Sequence, residues 1–340
     1  MAAPPTPSAS AAGPAVRRVV RLERFGPPEA MSWGTGPMPV CGNNEVLVEV
    51  DAIGVNFGDT MVRRGEYRRG QTLDEIPGFE LAGTVVAGPD SGPGPGQRVV
   101  GFAEHGGGYA DHVVLPVDRV FPVRDGIATT TAAALFTQGV TAWYGVHRFG
   151  RVGEGDQVLV PGGAGGLGQW CIRLVVAAGA QAIALASSAE KRQRCLDLGA
   201  TEALDPDPAT LTAALRERTG GRGVDVVLDG VGGELFAPAM RALAHNGRYV
   251  VLGSASQEPA LLDVRALLPR GQTIAGVLVA RVAEQDPAEP RRAFDAVQAL
   301  VADGVVRPQV TVLPADDVVA AHRAIEARRS VGKLVLDLHA

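Results

Sequence analysis

The sequence predicts an α/β protein in which a doubly wound parallel sheet joins a β-rich, partly barrel-like domain formed by both chain ends. Three observations carry this prediction. From Thr137 to about Gly304, strands without polar alternation are separated by helices, as in a parallel sheet covered on both faces. Within that stretch, Gly163-x-Gly165-x-x-Gly168 lies between a strand and a helix. From Val16 to about Phe136, short period-two strands are broken by Gly and Pro, and the pattern returns after Gln309.

The elements follow in order. Residues 1–16 are rich in Ala, Pro and Ser, with no basic start and no apolar core, and read as a disordered leader rather than a signal peptide. Glu45 to Val50, Gly83 to Ala87 and Arg98 to Gly101 are strands, and Pro89 to Gly96 is a turn-rich loop. A strand at Gln157 to Val160 leads into a helix from Gly166 to Ala178. Ala182 to Leu185 is the next strand, followed by a helix from Ala189 to Leu198, and glycines at 179 and 199 end the two helices. Val224 to Asp229, a helix from about Glu234 to Ala244, and Gly247 to Leu252 continue the alternation. After an irregular stretch from Gln257 to Arg270, Thr273 to Val279 reads as the last strand of this sheet. Gln309 to Leu313, a helix from Ala315 to Arg328, and Lys333 to Leu338 return to the first domain. The expected division is 17–138 with 309–340, and 139–308.

Composition narrows the class. At 340 residues the chain suits about two domains of ~150 residues each. With 46% hydrophobic and 20% charged residues it is a globular chain, and a net charge of −5 argues against nucleic-acid binding. Three separated cysteines (Cys41, Cys171 and Cys195) exclude a disulfide framework or a four-cysteine zinc lobe and suit a reducing cytoplasm. No run approaches the ~18–20 apolar residues of a membrane span.

The glycine loop suits a dinucleotide. Its glycines permit a tight turn, close approach to a pyrophosphate and close helix–sheet packing, while the helix N-terminus offers unpaired N–H groups. The plain alternative is a tight strand–helix turn. At the tip of the second strand an NAD site normally carries Asp or Glu; this chain has Ser187, Ser188, Lys191 and Arg192. Hydroxyls and cations suit a 2′-phosphate, so the tip favours NADPH over NADH. The alternative is an N-cap serine followed by solvated helix charges.

With these residues in hand, the chain resembles the medium-chain dehydrogenase/reductase superfamily, in its zinc-independent quinone oxidoreductase branch. The markers are Gly54-Val-Asn-Phe-Gly-Asp59, Arg64-Gly-Glu-Tyr67, Pro77-Gly-Phe-Glu-Leu-Ala-Gly83, Gly107-Gly-Tyr-Ala-Asp111 and Thr141-Ala-Trp-Tyr144. The glycine loop, Asp229-Gly-Val-Gly232 and Gly332-Lys-Leu-Val-Leu336 complete the set. The resemblance implies a GroES-like catalytic domain from both chain ends around a central Rossmann domain. It also implies reduction of quinones, enones or enoyl thioesters with NADPH by dimers or tetramers. Zinc-dependent relatives have Cys at the position of Asn56 and His at that of Phe79; neither residue here is a good zinc ligand, so a metal-free site is expected, with Glu80 anchoring local structure.

By motif position, Asn56 resembles the residue beside nicotinamide and substrate, and Tyr67 the tyrosine lining the quinone cleft. Thr141 resembles a cofactor contact. Gly163, Gly165, Gly166 and Leu167 fall at the pyrophosphate turn, while Gly230, Val231, Leu252 and Gly253 end strands on the ligand-facing edge. Lys333 resembles a residue near the cofactor, a surface-strand lysine being the alternative. One departure is Leu204-Asp205-Pro206, where the branch often has a tyrosine that helps hold the 2′-phosphate. Phe57, Met61 and Trp143 suit an apolar pocket or the core, and His105 and His112 suit the surface.

The expected activity is hydride transfer from NADPH to a quinone or another α,β-unsaturated carbonyl. The alternatives are an enoyl-thioester reductase of a biosynthetic pathway and a non-catalytic NADPH-binding or structural protein. A homodimer through the open edge at 273–279 is expected.

Overall fold

The computed structural model describes residues 16–340. The expected leader lies outside the described residues except for Val16, which begins a strand, Val16–Leu22, paired with Met31–Pro37.

The doubly wound sheet has six parallel strands in the spatial order Glu202–Leu204, Gln181–Leu185, Gln157–Pro161, Val224–Asp229, Leu243–Val251 and Thr273–Gly276. Val158, Leu159 and Val160 are wholly buried, as helices on both faces require. The strand order reverses between Gln157–Pro161 and Val224–Asp229, so the crevice beyond their carboxyl ends is the place such a sheet offers a ligand.

The second sheet has seven strands and is built from both chain ends. Glu45–Val55 lies at its centre. One edge of this strand pairs with Glu80–Ala87; along the other, Glu45 to Glu49 pair with His112–Pro116, and Ala52 to Val55 with Lys333–Asp337. Val310–Pro314 adds in parallel beyond Lys333–Asp337, and the strand path is open rather than a closed barrel. A helical stretch from Thr129 to Phe149 joins the two sheets. Its Phe136 ring packs on Phe102 at 4.9 Å, Phe121 at 4.7 Å and Phe294 at 5.6 Å, merging the two interiors into one core.

Three elements differ from expectation. The edge strand stops at Gly276, and a helix, Val279–Gln285, follows because Val279, Val282 and Ala283 turn into the core. The helix expected from Glu234 to Ala244 is a short turn followed by Phe236–Ala242; it ends where buried Leu243 extends to pair with Val224, starting the next strand four residues earlier than expected. The C-terminal helix is Val318–Glu326, and the left-handed Arg328 lies just beyond it. The first two boundaries follow burial or strand pairing that local periodicity does not contain.

Candidate active site

The glycine loop closes the turn between Gln157–Pro161 and the helix Gly166–Ala177. Gly162 is left-handed at φ +66°, and a Cβ at Gly168 would run into the Gly162 carbonyl. A Cβ at Gly163 would stand 2.9 Å from Ala184 Cβ and 3.0 Å from Cys195 Sγ. These two glycines face inward and let helix and sheet touch. Gly165 and Gly166 are half-exposed, and a Cβ at Gly165 would meet only the Gly162 carbonyl, at 3.2 Å. No side chain caps the helix that starts at Gly166, which leaves its first N–H groups without a side-chain acceptor. Beside them, the buried Thr137 Oγ1 and Gln138 Oε1 have no hydrogen-bond partner among the described residues. An open glycine cradle, a free helix N-terminus and two orphaned polar atoms fit the phosphates and polar edges of a dinucleotide.

The far wall is organised by Asp229. Its carboxylate accepts the N–H of Val231 at 2.7 Å and of Gly232 at 3.0 Å, and the Tyr249 hydroxyl at 2.6 Å. Gly230 faces Leu167, whose Cδ2 would lie 2.9 Å from an added Cβ, and Gly253 lies against Gly230. Leu252 reaches Gly145 in the helical stretch that contains Thr141, whose hydroxyl donates to the Thr137 carbonyl at 2.5 Å. Gly230, Val231, Leu252 and Gly253 therefore meet at one edge.

The other half of the site is held by charge. Lys333 is buried, and its Nζ donates to Glu80 Oε2 at 2.7 Å and to Asn56 Oδ1 at 2.6 Å. Glu80 is wholly buried, and its other oxygen accepts the N–H of Phe136 at 2.6 Å and of Thr137 at 3.1 Å. Asn56 Nδ2 gives one N–H to the Gly54 carbonyl at 3.1 Å. Counting donors, one N–H of Asn56 and one of the Lys333 ammonium have no acceptor among the described residues. A β-bridge between Gly165 and Gly332 ties the residue before Lys333 to the glycine loop.

Tyr67 is 37% exposed and packs on Phe79 at 4.8 Å between ring centroids. Its hydroxyl is held above the ordinary range by burial and by the Asp59 carboxylate, so it stays protonated.

The alcohol dehydrogenase GroES-like domain family matches residues 42–125, and the zinc-binding dehydrogenase family matches residues 166–299. A mycobacterial protein whose structure was solved in complex with NADPH superposes with a TM-score of 0.87 at 30% identity, over 94% of this chain and 99% of that one. The chain belongs to the medium-chain dehydrogenase/reductase superfamily, in its quinone oxidoreductase-like branch. The mouse (Mus musculus) quinone oxidoreductase is 28% identical over 333 residues, covering 96% of this chain and 99% of that protein. A mycocerosic acid synthase-like polyketide synthase of Mycobacterium tuberculosis is 33% identical over 309 residues; the match covers 87% of this chain but only 14% of the synthase.

In this medium-chain oxidoreductase the rim near Ser187 differs from the expected free cations. Ser187 is exposed, and Ser188 caps the helix Ala189–Asp197 by accepting the Lys191 N–H at 3.2 Å. Lys191 Nζ donates to the Arg328 carbonyl at 2.7 Å, and Arg192 is paired with Asp205 at 2.9 Å and with the Ala186 carbonyl at 3.0 Å. A carboxylate thus does stand beside the tip, contributed by the third strand's end rather than the second's. Trp143 packs against the core, His105 is exposed, and His112 is half-buried beside Asp111.

The sequence reading missed Asp229 with Tyr249, and Asp59 with Tyr109 and His322. Asp59 and Asp229 sit inside the Gly54–Asp59 and Asp229–Gly232 motifs, which was the available signal; their distant partners had none. Among the described residues no three His, Cys, Asp or Glu side chains gather to hold a metal, and no helix is long and apolar enough to cross a membrane.

Proposed function

We propose that this oxidoreductase reduces a quinone or another α,β-unsaturated carbonyl with NADPH. The observation that carries the reading is the bridge from Gly165 to Gly332, which sets the two free donors of Asn56 and Lys333 beside the dinucleotide cradle. NADPH, when bound, supplies the hydride. Gly165, Gly166 and Leu167 hold the pyrophosphate, whereas Gly163, expected there too, is buried with its N–H on the Leu185 carbonyl and serves the packing of the turn; Thr141, Gly230, Val231, Leu252 and Gly253 line the remainder. Ser187, Ser188, Lys191 and Arg192 take the 2′-phosphate, Lys191 and Arg192 exchanging the Arg328 carbonyl and Asp205 for the stronger anion. Residues 17–138 with 309–340 form the catalytic domain, and 139–308 bind the dinucleotide.

At the reacting end the protein positions and stabilises. Conjugation carries negative charge to the carbonyl oxygen, where the free N–H groups of Asn56 and Lys333 meet it, with Tyr67 at the cleft wall. Asn56 and Phe79 offer no metal ligand, and a conjugated acceptor does not need one. Enoyl-thioester reduction is the second reading, favoured by the 33% identity to a stretch of a polyketide synthase. The third is cofactor binding without turnover.

The test is oxidation of NADPH, and of NADH in parallel, across small quinones, alkenals, enones and enoyl thioesters. NADPH turnover with at least one class is expected, and the preferred class separates the first two readings. Tight NADPH binding with no oxidation by any class would establish the third. Replacing both Lys191 and Arg192 with Ala should weaken NADPH about tenfold or more and leave NADH nearly unchanged, since only the phosphate loses charge-assisted bonds. Equal losses for both cofactors would remove these residues from the 2′-phosphate site.

Asn56→Ala should slow hydride transfer, up to about a hundredfold (~3 kcal/mol) for one lost donor, while Tyr67→Phe has a smaller, substrate-dependent effect. Single-turnover rates equal to wild type in both variants would reduce the site to a positioning cleft.

The protein is further proposed to act as a homodimer in a reducing cytoplasm. Among the described residues Thr273–Gly276 has a partner on one edge only, and Leu261, Val264 and Leu268 in the segment before it are 88%, 66% and 81% exposed. Light scattering should give a dimer that charged substitutions at Val264 and Leu268 dissociate; a monomer at micromolar concentration would refute it.

A further inference from the structure

We propose that Asp59 is the positioning residue of the Asn56–Lys333 site and that it holds the site only while ionised, because three hydrogen-bond donors converge on its buried carboxylate. Asp59 is wholly buried at the third position of the helix Phe57–Arg64, whose N-cap is Asn56. Its Oδ2 accepts the backbone N–H of Asn56 at 2.7 Å and the Tyr109 hydroxyl at 3.2 Å; its Oδ1 accepts the N–H of Gly78 at 3.2 Å. The carboxylate therefore clamps the backbone that carries the Asn56 amide, and that amide oxygen in turn receives the Lys333 ammonium.

The proton positions are fixed by counting. Tyr109 has one hydroxyl proton, and its oxygen also lies 2.9 Å from His322 Nε2. If that proton goes to Asp59, the oxygen is free to accept a proton from His322 Nε2. His322 is neutral, because burial first, then Arg63 and Arg64, push it down to about 3. With its one proton on Nε2, the unpartnered Nδ1 is left as a lone pair and not as a stranded donor. Every donor is satisfied when Asp59 is an anion. Protonation would leave its O–H only the Tyr109 oxygen to donate to; Tyr109 would then give its proton to His322 Nε2, and the His322 proton would be stranded on the buried, unpartnered Nδ1.

Burial opposes the charge that the hydrogen bonds demand. It pushes Asp59 up to about 7, against the Asn56 N–H, the Lys333 ammonium, the Tyr109 hydroxyl and the Gly78 N–H. The groups that face it come from every element packed around it. Lys333, on the last strand, is the facing cation and is itself paired with Glu80; Tyr67 and Tyr109 face it as neutral phenols. On its own helix, Arg63 is paired with Glu326 and acts on Tyr109 and His322. As pH falls through neutrality, the carboxylate takes a proton, the charge-assisted bond to Asn56 weakens, and the donor pair loses its fixed position.

The clamp itself is independent of the proposed reaction; its effect on turnover rests on that reading. The direct test is a nuclear magnetic resonance titration of the Asn56 backbone amide in the wild-type protein without cofactor. The amide proton should move upfield as pH falls, with a midpoint near 7. Tyr109→Phe removes a donor to the anion and should shift the midpoint upward; Asp59→Asn should abolish the step. In the turnover assay, the wild-type kcat should fall about tenfold between roughly pH 8 and pH 6, with NADPH affinity constant, and Asp59→Asn should be slow and flat over that window. An amide shift that does not titrate near neutrality, a midpoint unmoved by Tyr109→Phe, or a pH step that persists in Asp59→Asn would overturn the proposal. If no substrate is turned over, the proposed reaction fails on its own and the amide titration still decides the clamp.

Discussion

Replacing Lys333 with methionine should destabilise the fold by about 3–5 kcal/mol, the scale of breaking a buried ion pair from one side. Glu80 is wholly buried, and its Oε2 loses its cationic partner while Oε1 keeps the Phe136 and Thr137 N–H groups. No rearrangement is close at hand. A Cβ on Gly54 would already run into the Ala133 carbonyl and lie 2.9 Å from both Glu80 Oε2 and Lys333 Cε, so the space is filled. The stranded carboxylate, more than the lost attraction, makes the cost large. Adding Glu80→Gln removes the uncompensated charge and keeps an acceptor for the two N–H groups, so the double variant should be more stable than Lys333→Met alone. Urea unfolding midpoints of the three proteins check this. A Lys333→Met protein as stable as wild type, or a double variant worse than the single, would contradict a paired and buried ammonium.

The second large effect is expected at Gly168. In Gly168→Ala the new Cβ would collide with the Gly162 carbonyl and lie 2.6 Å from Gly163 Cα; both are backbone atoms of the turn itself. The helix must lift from the sheet, at a cost of about 1–3 kcal/mol for overpacking. The turn that presents the helix N-terminus moves with it, so NADPH affinity should fall at least about tenfold. Gly166→Ala is the control. Its Cβ meets only the end of the Gln138 side chain, which can rotate away, so stability should change little. Thermal melts together with fluorescence titration by NADPH separate the two variants. Equal destabilisation would mean that glycine at 168 is not required for close packing.

Much of the Rossmann half was legible. The loop from 158 to 168 is local: strand, turn and helix are contiguous, and glycine spacing reports backbone needs that no distant residue alters. The charges at Lys191 and Arg192 were legible as charges, but their acceptors were not. Lys191 reaches a carbonyl 137 positions away, and Arg192 meets an aspartate that the sequence reading had noted only as the absence of a tyrosine. The same limit shortened the edge strand at Gly276, where burial of Val279 and Val282 favoured a helix.

The sequence by itself determined the doubly wound sheet, the glycine loop between its strand and helix and the lack of ligands at Asn56 and Phe79, because periodicity, glycine spacing and residue chemistry are properties of short segments. Only the tertiary structure decided what Lys333 does. Its partners, Glu80 and Asn56, lie 253 and 277 positions earlier, and Asp59 meets Tyr109, which in turn meets His322, across three separate segments. A lysine on a short strand can be solvated or buried with equal local sequence cost. Burial follows once antiparallel pairing with Ala52 to Val55 has brought a carboxylate and an amide within reach, since an ammonium leaves water only where such groups replace it.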